Sequence, residues 1–130
     1  MIAVDTNVLL RLVVGDEPAQ AARARRYLEA NASAATPCFL NRAVLCELAW
    51  VLKSSYGYGR EDIAAIIERL LHTAELRIED PDVAGAALDA HRAGHDFADV
   101  YIAASNRLRG CDVTVTFDRR AARLPLFALM

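Results

Sequence analysis

The chain opens with Met1-Ile-Ala-Val-Asp5-Thr6-Asn7-Val-Leu-Leu10. The apolar run before Asp5 is too short for anything but a strand, and apolar residues at helical spacing resume at Val8. An aspartate at the carboxyl end of a buried strand lies at the edge where open α/β sheets place their active-site crevice. This stretch therefore predicts a strand, a candidate functional carboxylate and a helix in direct succession.

The composition of the chain is that of one globular domain. At 130 residues, the chain is long enough to bury a single core without help, so we expect one domain over residues 1–130. A hydrophobic content of 55% with 25% charged residues excludes a disordered chain. No apolar stretch reaches the roughly 20 residues that a membrane span needs, and Asp5 and Arg11 interrupt the opening run, which argues against a signal peptide. The net charge of −2 offers no general attraction for nucleic acid.

The three cysteines are odd in number, widely spaced and set among apolar residues. Cys38, Cys46 and Cys111 therefore predict reduced, buried thiols in a cytoplasmic protein, and they argue against disulfides or a zinc site.

Predicted strands and helices alternate along the chain. After a short helix that Thr6 or Asn7 could cap and that reaches residue 12, helices are predicted over residues 18–30, 42–55, 60–71 and 97–109. Asp80-Pro81-Asp82 is predicted to cap a further helix that runs to residue 92 or 93. Strands are predicted over residues 34–39, 75–79 and 112–117, with a helical turn and a short apolar tail at the end. Alternation of this kind indicates an α/β fold with a parallel sheet covered by helices on both faces. On the helix over residues 18–30, we expect Arg23, Arg25 and Arg26 to form a solvated face.

Glu47 is the one charge among the ten residues 43–52. A helix that is apolar nearly all round is expected to be buried. An unpaired carboxylate there would cost on the order of several kcal/mol, so Glu47 needs a polar destination. A salt bridge to Arg42 or Lys53 is one alternative, and a metal ion is another.

Four carboxylates are expected at one edge of the predicted sheet. Asp5 and Asp118 each follow a strand, the first turn of the helix after Asp96 brings in Asp99, and Glu47 needs a polar partner. Carboxylates that lie close together repel one another, and a divalent cation such as Mg²⁺ or Mn²⁺ relieves that repulsion. Taken alone, Asp5 and Asp96 could each be a helix cap and Asp118 could start a turn.

A second possible metal pair is weaker. His91 and His95 have the spacing of a helical zinc pair, but Gly94 is expected to end the helix between them.

These residues also form a pattern that resembles PIN-domain ribonucleases, specifically the VapC-type toxins of toxin–antitoxin pairs. The resemblance covers essentially the whole chain and rests on four motifs in the order of that family, namely Ile2-Ala-Val-Asp5-Thr6-Asn7, Glu47 in its apolar helix, Asp96-Phe-Ala-Asp99-Val-Tyr-Ile-Ala-Ala104, and Thr116-Phe117-Asp118. The departures are Tyr101, where smaller residues are more usual, and a short C-terminal tail that puts the last strand in doubt.

The resemblance implies a three-layer α/β/α fold with a central, mainly parallel sheet, and a metal-dependent endonuclease acting on single-stranded or looped RNA. Asp5, Glu47, Asp99 and Asp118 match the family's catalytic metal-site acids, with Mg²⁺ or Mn²⁺ as the cofactor. The matching supporting positions are Asn7, Asp96 and Thr116. The resemblance further implies a homodimer and a cognate VapB-like antitoxin, wrapped around helices in residues 43–71.

Three arginines lie within five residues after Asp118. Arg119, Arg120 and Arg123 could hold the RNA backbone, although a solvated face explains them equally well.

Two other function classes remain open at this stage. A phosphatase of the haloacid-dehalogenase type also begins with a strand that ends in aspartate, but it needs a second aspartate where this chain has Asn7. A non-catalytic domain of the same PIN-like shape would bind a partner instead of cutting RNA.

Overall fold

The computed structural model describes residues 1–130, and the chain divides into two compact units, Met1–Glu79 and Asp80–Met130. The first unit contains four helices and two short strands. In chain order these are α1 (Thr6–Val14), α2 (Pro18–Asn31), β1 (Cys38–Leu40), α3 (Arg42–Ser54), α4 (Arg60–Leu71) and β2 (Leu76–Ile78). Its core consists of buried aliphatic side chains from α1, α3, α4 and β1, including Leu9, Leu40, Leu45, Leu48, Leu52 and Ile67.

The strands of the first unit are parallel, as predicted. Cys38 pairs with Leu76 and Leu40 with Ile78. The opening segment is shorter than predicted, because it makes one parallel bridge between Ala3 and Phe39 and no longer ladder. β1 also starts later than predicted, at Cys38, since Pro37 has no N–H to donate and the alanines before it are poor strand formers.

The helix ends follow local signals in the sequence. Asp5 caps α1, where Thr6 or Asn7 had been the expected cap, and Gly15 ends the helix in the left-handed conformation at φ 72°. Asn41 caps α3, as predicted, by accepting a hydrogen bond from the N–H of Val44 at 2.9 Å. α1 packs against both α2 and α3.

The prediction that α3 is buried all round is wrong. Leu45, Leu48 and Leu52 are buried, but Glu47 is exposed and Trp50 is 68% exposed. α3 has one packed face, since its neighbours within this unit are α1 and α4. Glu47 is exposed to solvent, yet its carboxylate still reaches Thr6 of α1, so it lies at the margin of the packed face.

The second unit has a similar alternation of helix and strand. It contains α5 (Pro81–Arg92), α6 (Phe97–Leu108), β3 (Thr114–Thr116), a 3-10 turn (Ala121–Arg123) and β4 (Phe127–Leu129). β3 and β4 pair in parallel, with Thr114 opposite Phe127 and Thr116 opposite Leu129. The last strand, which the short tail had put in doubt, is thus present. The strands form one parallel pair in each unit, where a central sheet had been predicted.

Aromatic packing joins α5 to α6. Phe97 contacts Tyr101 edge to face, with ring centroids 5.6 Å apart, and His91 contacts Phe97 in the same way at 6.5 Å. Tyr101 is fully buried, so the bulky residue that departs from the family pattern is accommodated in the packing of α6.

The three cysteines are free thiols in different environments. Cys38 is buried, Cys46 is half-buried and Cys111 is exposed, so the prediction of three buried thiols is wrong for Cys111. None of the helices combines the length and the apolar character needed to cross a membrane.

Candidate active site

Asp5 lies where the opening segment turns into α1. Its Oδ1 accepts a hydrogen bond from the N–H of Thr6 at 2.7 Å, which is the capping role that the residue taken alone predicts. The carboxylate is exposed, as is Asn7 two residues on. The cap uses one carboxylate oxygen, and the other is left for a ligand.

Thr6 connects the two acidic residues of the first unit. Thr6 is buried, with only 7% of its surface exposed. Its hydroxyl donates a hydrogen bond to Oε1 of Glu47 at 3.3 Å. Glu47 therefore finds its polar partner in a threonine, whereas Arg42 lies 3.8 Å from Glu79. Because the N–H of Thr6 holds Asp5 and its hydroxyl holds Glu47, one residue orients both carboxylates. Sequence reasoning treated Thr6 only as a possible cap.

In the second unit, local hydrogen bonds set the positions of Asp96 and Asp118. Asp96 caps α6 by accepting a hydrogen bond from the N–H of Asp99 at 2.9 Å. Oδ1 of Asp118 accepts one from the N–H of Arg120 at 2.8 Å, as an aspartate that starts a turn is expected to do. The hydroxyl of Thr116 accepts a hydrogen bond from the N–H of Asp118 at 3.0 Å, so Thr116 supports the loop that carries this carboxylate.

Asp99 has the most perturbed acidity in this part of the chain. Burial of its carboxyl group raises its pKa above the usual range, and the negative charges of Asp96 and Asp118 raise it further. The second unit therefore places three of the predicted acids within electrostatic reach of one another. Such mutual repulsion is the condition that a bound cation relieves.

The donor chemistry fits a hard divalent cation. Asp5, Glu47, Asp99 and Asp118 offer only carboxylate oxygens, and none of them is paired with arginine or lysine. Within either unit, however, no group of three or more histidine, cysteine, aspartate or glutamate side chains is arranged to hold a metal ion. The four-carboxylate site stays a prediction, with Asp5 and Glu47 supplied by the first unit and Asp99 and Asp118 by the second.

The remaining candidates have simpler environments. Arg119, Arg120 and Arg123 are all exposed, directly after Asp118. His91 is buried against Phe97, and α5 ends at Arg92, so His91 and His95 do not share a helix as a zinc pair would.

One comparison with known proteins identifies the family of the chain. The family model described as PIN domain matches residues 2–126, a range that includes every predicted site residue. The chain therefore belongs to the PIN domain family, whose members are generally metal-dependent nucleases. The comparisons with curated proteins and with solved structures found no match.

Proposed function

We propose that residues 1–130 form a single PIN domain of three-layer α/β/α architecture that acts in the cytoplasm as a VapC-type toxin. Its activity is that of an endoribonuclease dependent on Mg²⁺ or Mn²⁺, and a cognate VapB-like antitoxin inhibits it. The observation that carries the proposal is that none of the four predicted acids forms a salt bridge with a cationic side chain. Membership of the PIN family supports the nuclease class.

The chemistry follows from the donor set. A bound Mg²⁺ or Mn²⁺ supplies a water of lowered pKa and neutralises charge that develops on the phosphate oxygens. Asp5, Glu47, Asp99 and Asp118 are the residues that would hold it. Thr6 keeps Asp5 and Glu47 in fixed orientations, and Thr116 steadies the loop before Asp118.

Binding of the substrate backbone falls to exposed basic residues. Arg119, Arg120 and Arg123 follow the Asp118 carboxylate and are free of contacts that would bury them. Arginine binds phosphate oxygens through two parallel N–H groups, so these side chains suit an RNA backbone. Contacts of this kind position the strand without reading its sequence.

A surface in the first unit suits the antitoxin. A cavity of about 880 Å³ is bordered by α1, α2 and α4 and is lined mainly by aliphatic side chains, including Leu9, Leu12, Val13, Leu28, Ile66 and Leu70. Arg25, Glu29 and Arg69 also line it. An amphipathic helix with an apolar face and both signs of charge at its flanks is the partner that such a groove accepts. The resemblance implied that the antitoxin wraps around helices in residues 43–71; this cavity borders α4 but not α3.

Cleavage of RNA is the direct test of the nuclease. Purified protein is incubated with single-stranded RNA in Mg²⁺ or Mn²⁺, with EDTA as the control, and cut products are resolved on a gel. Asp5→Asn keeps the capping oxygen and should lose cleavage at an unchanged melting temperature. Full activity in that variant, or metal-independent cutting, contradicts the proposal. Release of phosphate from a small phosphoester would favour a phosphatase instead.

The toxin role needs separate experiments. Coexpression with a small neighbouring reading frame should restore growth that the protein alone arrests, and Ile66→Lys should abolish that rescue while leaving cleavage intact. We also propose that the protein is a homodimer, and light scattering after gel filtration measures its mass. If the protein cuts RNA but causes no growth arrest, the nuclease function would stand and the toxin role would be excluded.

A further inference from the structure

A second cleft of the first unit begins at the candidate catalytic residues. It has a volume of about 640 Å³ and includes Asp5 and Asn7 in its wall. From there it runs between α1 and α2, lined on the α1 side by Val8 and Arg11. Its size lies within the range of pockets that bind small organic ligands, so it can take a nucleotide unit.

The α2 wall of this cleft has a different chemistry from the α1 wall. Gln20, Arg23, Ala24, Tyr27 and Leu28 line it. Arg23 and Tyr27 are four residues apart and so lie on one face of the helix. Ala24 and Leu28, together with Val4 and Val8, give the cleft apolar lining as well.

Two side chains of this wall are available to a ligand. Tyr27 is 60% exposed, although it is a large aromatic residue, and its hydroxyl makes no hydrogen bond. Arg23 is exposed and has no carboxylate partner. Arg11 differs, because it is held by Asp16 at 2.9 Å and by Gln20 at 2.8 Å. The cleft thus has one guanidinium that is already held by hydrogen bonds, and a second guanidinium and an aromatic ring that are available to a ligand.

We infer that this cleft binds the nucleotide next to the bond that is cut, with the base stacked on Tyr27 and a flanking phosphate held by Arg23. The inference rests on the proposed ribonuclease function and assigns two substrate-binding residues to it. Aromatic rings bind unpaired bases of any sequence by stacking, and arginine is the side chain that best matches phosphate oxygens. Arg23, which the sequence placed on a solvated face with Arg25 and Arg26, thereby gains a function that its neighbours do not share.

The inference also predicts a preference for unpaired RNA over duplex RNA. A base can stack on Tyr27 only if it has left its own helical stack, which a single strand or loop permits and a duplex resists. Because Asp5 and Asn7 form the wall of the same cleft, a base held at Tyr27 leaves its backbone near these polar groups. Tyr27 and Arg23 are therefore substrate-binding residues, and their loss should affect KM more than kcat.

Binding is measured on the Asp5→Asn protein, which cannot consume the probe. The probe is a fluorescein-labelled oligouridylate of about ten nucleotides, a length typical of single-strand binding sites, and the readout is fluorescence anisotropy. Adding Tyr27→Ala should raise Kd about tenfold, whereas Tyr27→Phe keeps the ring and should bind as the parent does. Adding Arg23→Ala should raise Kd and lower the slope of log Kd against log salt by about 0.7, the value for one lost phosphate contact with a single strand.

Arg26→Ala is the matched control, because Arg26 is an exposed arginine of the same helix that lines neither cavity. The inference would be overturned if Tyr27→Ala and its parent had equal Kd values, or if Tyr27→Phe lost as much affinity as Tyr27→Ala. It would also be overturned if Arg23→Ala changed Kd no more than Arg26→Ala does. Failure of the probe to bind at all would overturn it as well. If the wild-type protein binds the probe through Tyr27 and Arg23 but cuts no RNA, the result supports the nucleotide-binding cleft and contradicts the proposed ribonuclease function. Melting temperatures check that the exposed substitutions leave the fold intact.

Discussion

The hydroxyl of Thr6 donates a hydrogen bond to the carboxylate of Glu47, 3.3 Å away, across 41 residues of sequence. The bond links the start of α1 to α3. The backbone N–H of Thr6 meanwhile holds Asp5 at 2.7 Å. One small, buried residue therefore orients Asp5 and Glu47, two acids that form no salt bridge. The positions of the carboxylates that the first unit contributes to the candidate site depend on Thr6.

Thr6→Val tests that control, because valine has nearly the shape of threonine but no hydroxyl. We expect RNA cleavage to fall severalfold at low Mg²⁺ and to recover partly at high Mg²⁺, since a freely rotating Glu47 binds the ion less well. The loss of stability should be about 1 kcal/mol, the usual contribution of one hydrogen bond. Cleavage rates titrated against Mg²⁺ measure the effect. Thr6→Ser restores the hydroxyl and should restore the wild-type curve; an unshifted curve for Thr6→Val would remove the positioning role.

Substitution of Asp5 separates its capping role from its role in the site. Asn accepts the same hydrogen bond from the N–H of Thr6, whereas Ala does not. Both variants should be inactive, but only Asp5→Ala should be destabilised, by about 1 kcal/mol. Denaturant unfolding of the two variants in EDTA measures the difference. Equal stabilities would mean that the cap contributes nothing, and an active Asp5→Asn protein would place the chemistry elsewhere.

The cysteines provide a test of the packing of the first unit. Cys38 is fully buried, and burial raises the pKa of its thiol, so both access and the reactive thiolate are suppressed. Cys111 is exposed. We expect iodoacetamide to alkylate Cys111 roughly a hundredfold faster than Cys38, because Cys38 reacts only after local opening. Mass spectrometry of timed digests follows each site, and Cys111→Ser should abolish the fast phase. Rapid labelling of Cys38 in native protein would contradict the packing of β1.

The helices were predicted more accurately than the strands, and the reason is physical. Asn41 and Asp96 cap α3 and α6 through hydrogen bonds to residues three positions away, so the signal lies within one turn of sequence. Strands form only where a partner lies alongside. Nothing in the sequence Met1-Ile-Ala-Val reveals that this segment makes only a single bridge, at Ala3. Nothing in the apolar tail reveals that it pairs with β3 as far as Leu129.

The candidate site shows the same division between local and distant interactions. The turn at Asp118 and the caps at Asp5 and Asp96 are local and were predictable as such. The burial of α3 was predicted wrongly, because an apolar sequence does not reveal which face of a helix lacks a neighbour. The bond of Glu47 to Thr6 joins residues far apart in sequence, and an isolated sequence contains no signal for it.

Asp99→Asn tests the electrostatics of the second unit. The pKa of Asp99 is raised from its ordinary value of 3.8 by burial and by the charges of Asp96 and Asp118, so the folded state holds this proton more tightly than the unfolded state. The resulting penalty on stability is complete above the raised pKa and disappears as the pH falls below 3.8. In EDTA, Asp99→Asn should therefore melt higher than wild type at pH 7, with the difference closing toward low pH, while losing RNA cleavage. The matched control is Asp82→Asn, which removes an exposed acid from the first turn of α5 and should give no such gain. A lower melting temperature for Asp99→Asn at pH 7, or a gain that persists at low pH, would show that the carboxylate is not under repulsion.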